Sequence, residues 1–287
     1  MKQELIERIA DEIARELLKS GSVRLPDRAA ETPPAEMVDI TSAECRARPL
    51  LDHVEDKDAL HRMMNRTTAR IGVGRAGPRL KTRTMLTLRA DHAKARDAVF
   101  ADVKQEVLDQ AGLFTVQSCC TDKNVYVTRP DLGRRLSDEA VQTLRLKSVM
   151  EPDVLIYAAD GLSSTAIEAN LMKILPVLTE ALKAKGLKLG TPFFLKYGRV
   201  ASQDHVSEVL RPKVVCTLIG ERPGLATAES MSAYIAYKAT VGMPEARRTV
   251  VSNIHRNGTA AVEAGAYIAE VICKILEQKA SGVELVK

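Results

Sequence analysis

Three glycines, Gly72, Gly74 and Gly77 in GVGRAGPR, stand at the spacing of a dinucleotide fingerprint, whose chemistry is to cradle a pyrophosphate against a helix N-terminus. That fingerprint works between the first strand and the helix of a βαβ unit. The residues ahead of it, MMNRTTARI, have no clear strand character, and Pro78 stands where the helix should already be running. A sharp polar loop is therefore the better reading. Arg75, Arg79, Lys81 and Arg83 give that loop a positive face suited to an anion or to a partner's acidic patch. A Rossmann oxidoreductase using a nicotinamide cofactor, which the three glycines would imply, stands as the competing function.

Four other strings carry groups capable of chemistry. In DGLSSTAIE (160–168), Asp160 and Gly161 close a predicted strand, and Ser163, Ser164 and Thr165 open a helix whose free N–H groups can meet a polar ligand; ordinary capping explains the same residues. No GxSxG elbow occurs, which argues against a serine hydrolase. YGRV (197–200) and GERPG (220–224) each follow a predicted strand, so Glu221 is either a charged group in a ligand crevice or part of an exposed turn, and spacing alone favours neither. In SNIHRNGT (252–259), His255 can be a base, a ligand or a turn histidine, and the turn is the commonest case. The five histidines, His53, His61, His92, His205 and His255, have neither zinc-like nor HExxH spacing, so a metal site is not expected.

These groups need elements to hold them. DVLIYAAD (153–160) is a continuous apolar run ending in an acid, as in a strand buried on both faces. Thr165 and Glu168 form a capping-box pattern opening a helix to about residue 185, which Pro176 should kink or restart. Then come LGTPFFLKYG (189–198), a short helix near 203–210, the strand KVVCTLIGE (213–221), the last strand RTVVSNI (248–254) and a helix from Thr259 to Gln278. Strands alternating with helices predict an α/β fold with a mostly parallel sheet and helices on both faces. Ligands of such sheets bind at the C-terminal ends of the strands. Upstream, residues 113–128 read as β-like and 45–112 as mainly helical. Residues 20–44 read as a flexible linker with three prolines. Residues 1–19 form an amphipathic helix, with Leu5, Ile6, Ile9, Ala10, Ile13, Leu17 and Leu18 on one stripe. A helix so short is marginal alone in water and must dock, on its own domain or on a partner.

Composition excludes several classes. Aromatics are 3% of the 287 residues and Trp is absent, so a base-stacking surface is not expected; the net charge of +5 is spread among acids, which argues against nucleic-acid binding. The five cysteines include no CxxC, the first residues are charged, and no apolar run approaches the roughly 18–20 residues a membrane span needs. A reducing cytoplasm, with no export signal and no membrane, is the expected setting.

Several strings, taken in order from about residue 66 onward, resemble one family. They are GRAGPR (74–79), ADHAKARDAV (90–99), DKNVYVTRPDLGRRL (122–136), DGLSSTAI (160–167), LKLGTPFFLKYGRV (187–200), GERPGLATAESMSAY (220–234), SNIH (252–255) and LEQKASG (276–282). Each is short, but the series is specific, and it is similar to the light chain of ethanolamine ammonia-lyase. The resemblance implies a Rossmann-like domain over 113–287 and a heavy chain, a TIM barrel, as partner. It implies adenosylcobalamin between the two chains, and conversion of ethanolamine to acetaldehyde and ammonia by radical chemistry that belongs to the cofactor. The family's cobalamin contacts fall on Val200, Glu221 and Val250 of this chain. The family carries Cys where Val250 stands, a departure that a backbone contact would survive. No catalytic residue is implied here, since the heavy chain supplies the substrate pocket.

Two further expectations follow from the resemblance. DHVEDK, DHAKAR and DHVSEV all lack the DxHxxG pattern that places a protein histidine on cobalt, so the cofactor's dimethylbenzimidazole should remain bound; an EPR or UV–visible signature of histidine ligation would refute this. The N-terminal helix is similar to peptides that dock cargo into bacterial microcompartments, which makes shell proteins candidate partners through residues 1–20.

Overall fold

The computed structural model describes residues 38–286. Two compact units divide the chain, Met1–Cys45 and Arg46–Lys287. Of the first, the described part is a turn, in which the Asp39 carboxylate accepts from the Thr41 amide at 2.8 Å, and most of a four-residue helix, Ala43–Arg46. The helix expected over 1–19 lies outside the described residues, as does the linker up to residue 37.

The second unit begins with helix α1 (Lys57–Met64), whose cap is Asp56, accepting from the Ala59 amide. The glycine-rich loop is an antiparallel hairpin of β1 (Arg75–Ala76) and β2 (Arg79–Leu80), and α2 (Thr82–Phe100) follows it. Gly74 is needed for packing, since a Cβ there would lie 2.6 Å from the Leu50 carbonyl oxygen. The dinucleotide geometry of strand, glycine turn and helix is therefore not what these glycines build.

Helix α3 (Gln105–Gln110) leads to a six-stranded sheet of β3 (Phe114–Gln117), β4 (Val154–Ala159), β5 (Phe193–Lys196), β6 (Val214–Gly220), β7 (Met231–Tyr237) and β8 (Thr249–Ile254), in spatial order β3-β5-β4-β6-β7-β8. The pairings β3–β5, β5–β4 and β4–β6 are parallel, whereas β6–β7 and β7–β8 are antiparallel. The sheet is thus mixed: the parallel run expected holds from β3 to β6, with three of the five pairings parallel, and β7 alone runs against the others. The strand that makes it so is MSAYIAY, which buries Met231, Ala233 and Ile235 on one face.

Helices cover both faces. Ile174, Leu171 and Leu178 of α6 (Ser164–Ala184) and Ile268, Ile272 and Ile275 of α8 (Ala261–Gln278) form one aliphatic layer with Ile156, Cys216 and Ile235. Leu144 of α5 (Asp138–Lys147) and Val206 and Leu210 of α7 (Ser202–Leu210) form the other with Tyr157, Phe193 and Val215. Each fully buried aliphatic side chain contributes about 1.5–3 kcal/mol. All six residues of β4 are buried, as its unbroken apolar run predicts.

Three local expectations are corrected. Residues 113–128 are not β throughout: after β3 the chain turns into helix α4 (Lys123–Thr128), because the Asp122 carboxylate caps the Asn124 and Val125 amides. Helix α6 is capped by Ser163, which accepts from the Ala166 amide, not by Thr165 and Glu168; Glu168 instead accepts from the Lys104 amide at 3.0 Å. Nor does Pro176 restart α6. Pro176 and Met172, whose carbonyl loses its usual donor, both lie on the exposed side, where water can replace the missing bond.

Candidate functional site

The chain leaves β4 toward β5 on one side and leaves β6 toward β7 on the other, so the strand order reverses between β4 and β6. In open parallel sheets that reversal makes a ligand crevice. Here two loops close it. The Leu162 amide donates to the Gly220 carbonyl at 3.0 Å, and a Cβ on Gly220 would lie 2.1 Å from the Ser163 carbonyl oxygen. Gly161, at φ +55°, makes the turn that allows this approach. Glu221 follows immediately and is carried outward past the closed crevice.

Next to it, the loops after β3, β4 and β5 meet at a buried charge. Asp160 is 1% exposed and accepts from the Lys123 ammonium at 2.9 Å and from the Gly198 amide at 3.2 Å. Burial pushes the Asp160 carboxyl above the usual carboxylate range, and Lys123 opposes that shift. The Lys123 ammonium also lies over the rings of Tyr126 and Tyr197, 5.4 and 5.2 Å from their centres. Tyr197 adopts φ +59°, a left-handed conformation that costs a non-glycine residue about 1–2 kcal/mol. The Arg199 guanidinium donates to the Tyr126 carbonyl at 2.7 Å and lies over the Tyr126 ring, although its Nε is buried without a partner.

Of the three residues expected to meet a cofactor, Glu221 and Val250 meet at a fourth, Tyr234, and Val200 is tied to it through Gln203. The Tyr234 hydroxyl donates to Glu221 Oε1 at 3.2 Å. Val250 is the register partner of Tyr234 across β7 and β8, on the same face, and is 45% exposed. Val200, two residues before α7, packs against the same apolar layer as Tyr234. Gln203 links the two, its amide donating to the Val200 carbonyl at 3.2 Å and its side chain to the Tyr234 carbonyl at 2.6 Å. Gln203 is itself held by the buried Arg248, which donates to Gln203 Oε1 at 3.1 Å and to both Asp204 oxygens at 2.9 and 3.1 Å. Burial lifts the Tyr234 phenol to about 12, with Glu221 adding to the shift, so it stays a donor at neutral pH.

Sequence reasoning missed Tyr234, Gln203 and Lys123. The alternation in MSAYIAY could have exposed Tyr234; nothing in the linear sequence points to Lys123. His255 is a turn residue: it is buried, its Nδ1 accepts from the Asn257 amide at 3.2 Å, and its Nε2 lies 2.7 Å from Asn253 Oδ1. Among the described residues, no three His, Cys, Asp or Glu side chains group as a metal site, and no helix is long and apolar enough to cross a membrane.

Comparison with known proteins decides the family. Residues 57–286 match the family model for the ethanolamine ammonia-lyase light chain. The chain belongs to the ethanolamine ammonia-lyase light-chain family. By that membership it is a subunit of an ammonia-lyase, and a light chain implies a large one. This light chain is 49% identical over 287 residues to the ethanolamine ammonia-lyase small subunit of Clostridium tetani, covering 98% of its own length and 97% of that protein. It is 56% identical over 247 residues to the small subunit of Fusobacterium nucleatum, covering 86% and 84%. With that of Clostridium perfringens it shares 54% over 247 residues, covering 86% and 84%.

Proposed function

We propose that this chain is the small subunit of an adenosylcobalamin-dependent ethanolamine ammonia-lyase, which converts ethanolamine to acetaldehyde and ammonia beside a TIM-barrel heavy chain. In this reading residues 113–287 form a Rossmann-like cobalamin-contacting domain, preceded by a mainly helical region over 45–112, a linker over 20–44 and an encapsulation helix over 1–19. The observation that carries it is the meeting of Glu221 and Val250 at Tyr234 on one face of the sheet, with Val200 tied to Tyr234 through Gln203, in a chain about half identical to named small subunits.

The residues fit such a cofactor. Glu221 has one oxygen on Tyr234 and a second able to accept from an amide of the corrin rim. Val250 offers exposed apolar surface two strands away from β6, and Ser232, on the same face of β7, has a buried hydroxyl without a protein partner. Bound adenosylcobalamin supplies radical chemistry through homolysis of its cobalt–carbon bond. This chain's part is to bind and orient: Tyr234 fixes the Glu221 rotamer, and the network of Gln203, Asp204 and Arg248 fixes the backbone at Val200. The nicotinamide alternative has lost its geometric basis, because Gly77 turns an antiparallel hairpin and Gly72 and Gly74 precede it with no strand running into them.

The test is titration of the assembled heavy–light complex with hydroxocobalamin, comparing the wild type with Glu221→Ala. A loss of about 1.4 kcal/mol, a charge-assisted hydrogen bond, corresponds to a roughly tenfold rise in Kd. An unchanged Kd contradicts the assignment of Glu221. For the N-terminal helix, deletion of residues 1–20 should abolish encapsulation in a shell; unchanged encapsulation and solubility would remove that role.

A further inference from the structure

We infer that the buried Lys123–Asp160 ion pair is a positioning device that holds the Tyr197–Val200 loop in the shape that meets the cofactor. The inference rests on the cobalamin reading above and adds to it residues that touch no ligand.

Three loops from three strands join at this pair. Lys123 opens α4, in the loop after β3; Asp160 ends β4; Tyr197 and Gly198 follow β5. Lys123 is 8% exposed and Asp160 is 1% exposed, so neither charge has water to fall back on. Two opposite charges buried together seldom add to stability over a well-packed apolar pair. What an apolar pair could not supply is an acceptor for the Gly198 amide at 3.2 Å, and that bond, with the Lys123 ammonium over the Tyr197 ring, meets the loop where Tyr197 is left-handed. The same loop is gripped on its other side. The Tyr126 hydroxyl donates to the Gly198 carbonyl at 3.2 Å, and the Arg199 amide donates to the Gly133 carbonyl at 2.9 Å. Gly198 has no room for a side chain, since a Cβ there would lie 2.8 Å from Leu195 Cδ2 and 3.0 Å from Ala159 Cβ.

Val200 is two residues beyond Gly198. Gly161, next to Asp160, abuts the Gly220 carbonyl immediately before Glu221, so the pair borders both proposed contacts. Loss of the carboxylate charge leaves Lys123 buried without a counter-ion and frees the loop to leave its left-handed turn.

The experiment compares Asp160→Asn, Lys123→Met, Tyr126→Phe and Glu221→Ala with the wild type in the assembled heavy–light complex, titrated with hydroxocobalamin and followed by visible absorbance. A loosened loop raises the cobalamin Kd about tenfold in Asp160→Asn and in Lys123→Met, and about threefold in Tyr126→Phe, which loses one neutral hydrogen bond. The KM for ethanolamine at saturating cofactor stays within about twofold. A purely structural pair would lower the melting temperature and leave the Kd of the assembled enzyme unchanged, and that result overturns the inference. Should the charge variants fail to assemble, Tyr126→Phe decides alone, because its phenyl ring fills the same space. If Glu221→Ala weakens cobalamin and Tyr126→Phe does not, positioning by this cluster is wrong while the site stands. If none of the assembled variants changes Kd, the cofactor reading of this edge falls as well.

Discussion

Tyr234 carries more of the proposed site than any residue singled out by type. Its hydroxyl holds Glu221, its carbonyl takes Gln203, and its strand partner is Val250. Removing the hydroxyl alone should therefore free Glu221 without disturbing the sheet. For Tyr234→Phe, a Glu221 carboxylate loosened by about 0.5–1 kcal/mol predicts a two- to fivefold weaker cobalamin complex, with a melting temperature lowered by only a few degrees, both measurable on the assembled enzyme. Glu221 was legible as an acid at a strand end, which is where a parallel sheet presents ligand groups. Lys123 was not legible. It pairs with Asp160, 37 residues later, because β3 and β4 both run parallel to β5 and so end at the same edge of the sheet.

Among elements, the central strands were readable and the peripheral ones less so, for a physical reason. Val154–Ala159 and Val214–Gly220 are buried on both faces and appear as unbroken apolar runs. Met231–Tyr237 mixes Ser232 and two alanines into its buried positions, so its hydrophobic signal is weak, and missing it made the sheet look parallel. In Lys123–Thr128, Val125, Tyr126 and Val127 favour a strand by propensity, but the Asp122 cap and the burial of Tyr126 override it.

Gly220→Ala would place a Cβ 2.1 Å from the Ser163 carbonyl oxygen, where backbone must move, and should cost at least about 2 kcal/mol, read as a fall in melting temperature. Asp153, at the entry to β4, binds the Lys213 ammonium at 2.7 Å and the Lys188 amide at 2.8 Å, and these, the Lys213 bond foremost, hold its carboxyl below 3.8. A lowered folded pKa gives stability that is present above the unfolded value of about 3.9 and is lost as pH falls through the folded value. Asp153→Asn should lower the melting temperature at pH 7 by at most about 2–4 °C, since the pair is partly exposed, and the gap to wild type should close as pH falls through the lowered folded value.

At the scale of the molecule, the uneven covering of the sheet is the feature that bears on function. Helices α5 and α7 cover one face over β3 to β6, while Val250 and Ser252 on β8 stay exposed beside Tyr234. An edge with an acid, a phenol and open apolar surface suits a ligand held between two chains better than one enclosed in a single chain. The central claim is that this chain is half of a catalytic pair. Ethanolamine deamination, measured with adenosylcobalamin for this chain alone and for this chain co-expressed with a heavy chain, tests it most directly. Acetaldehyde and ammonia are expected from the pair and none from the isolated chain. A pair that neither associates nor turns over, or an isolated chain that turns over unaided, would contradict it.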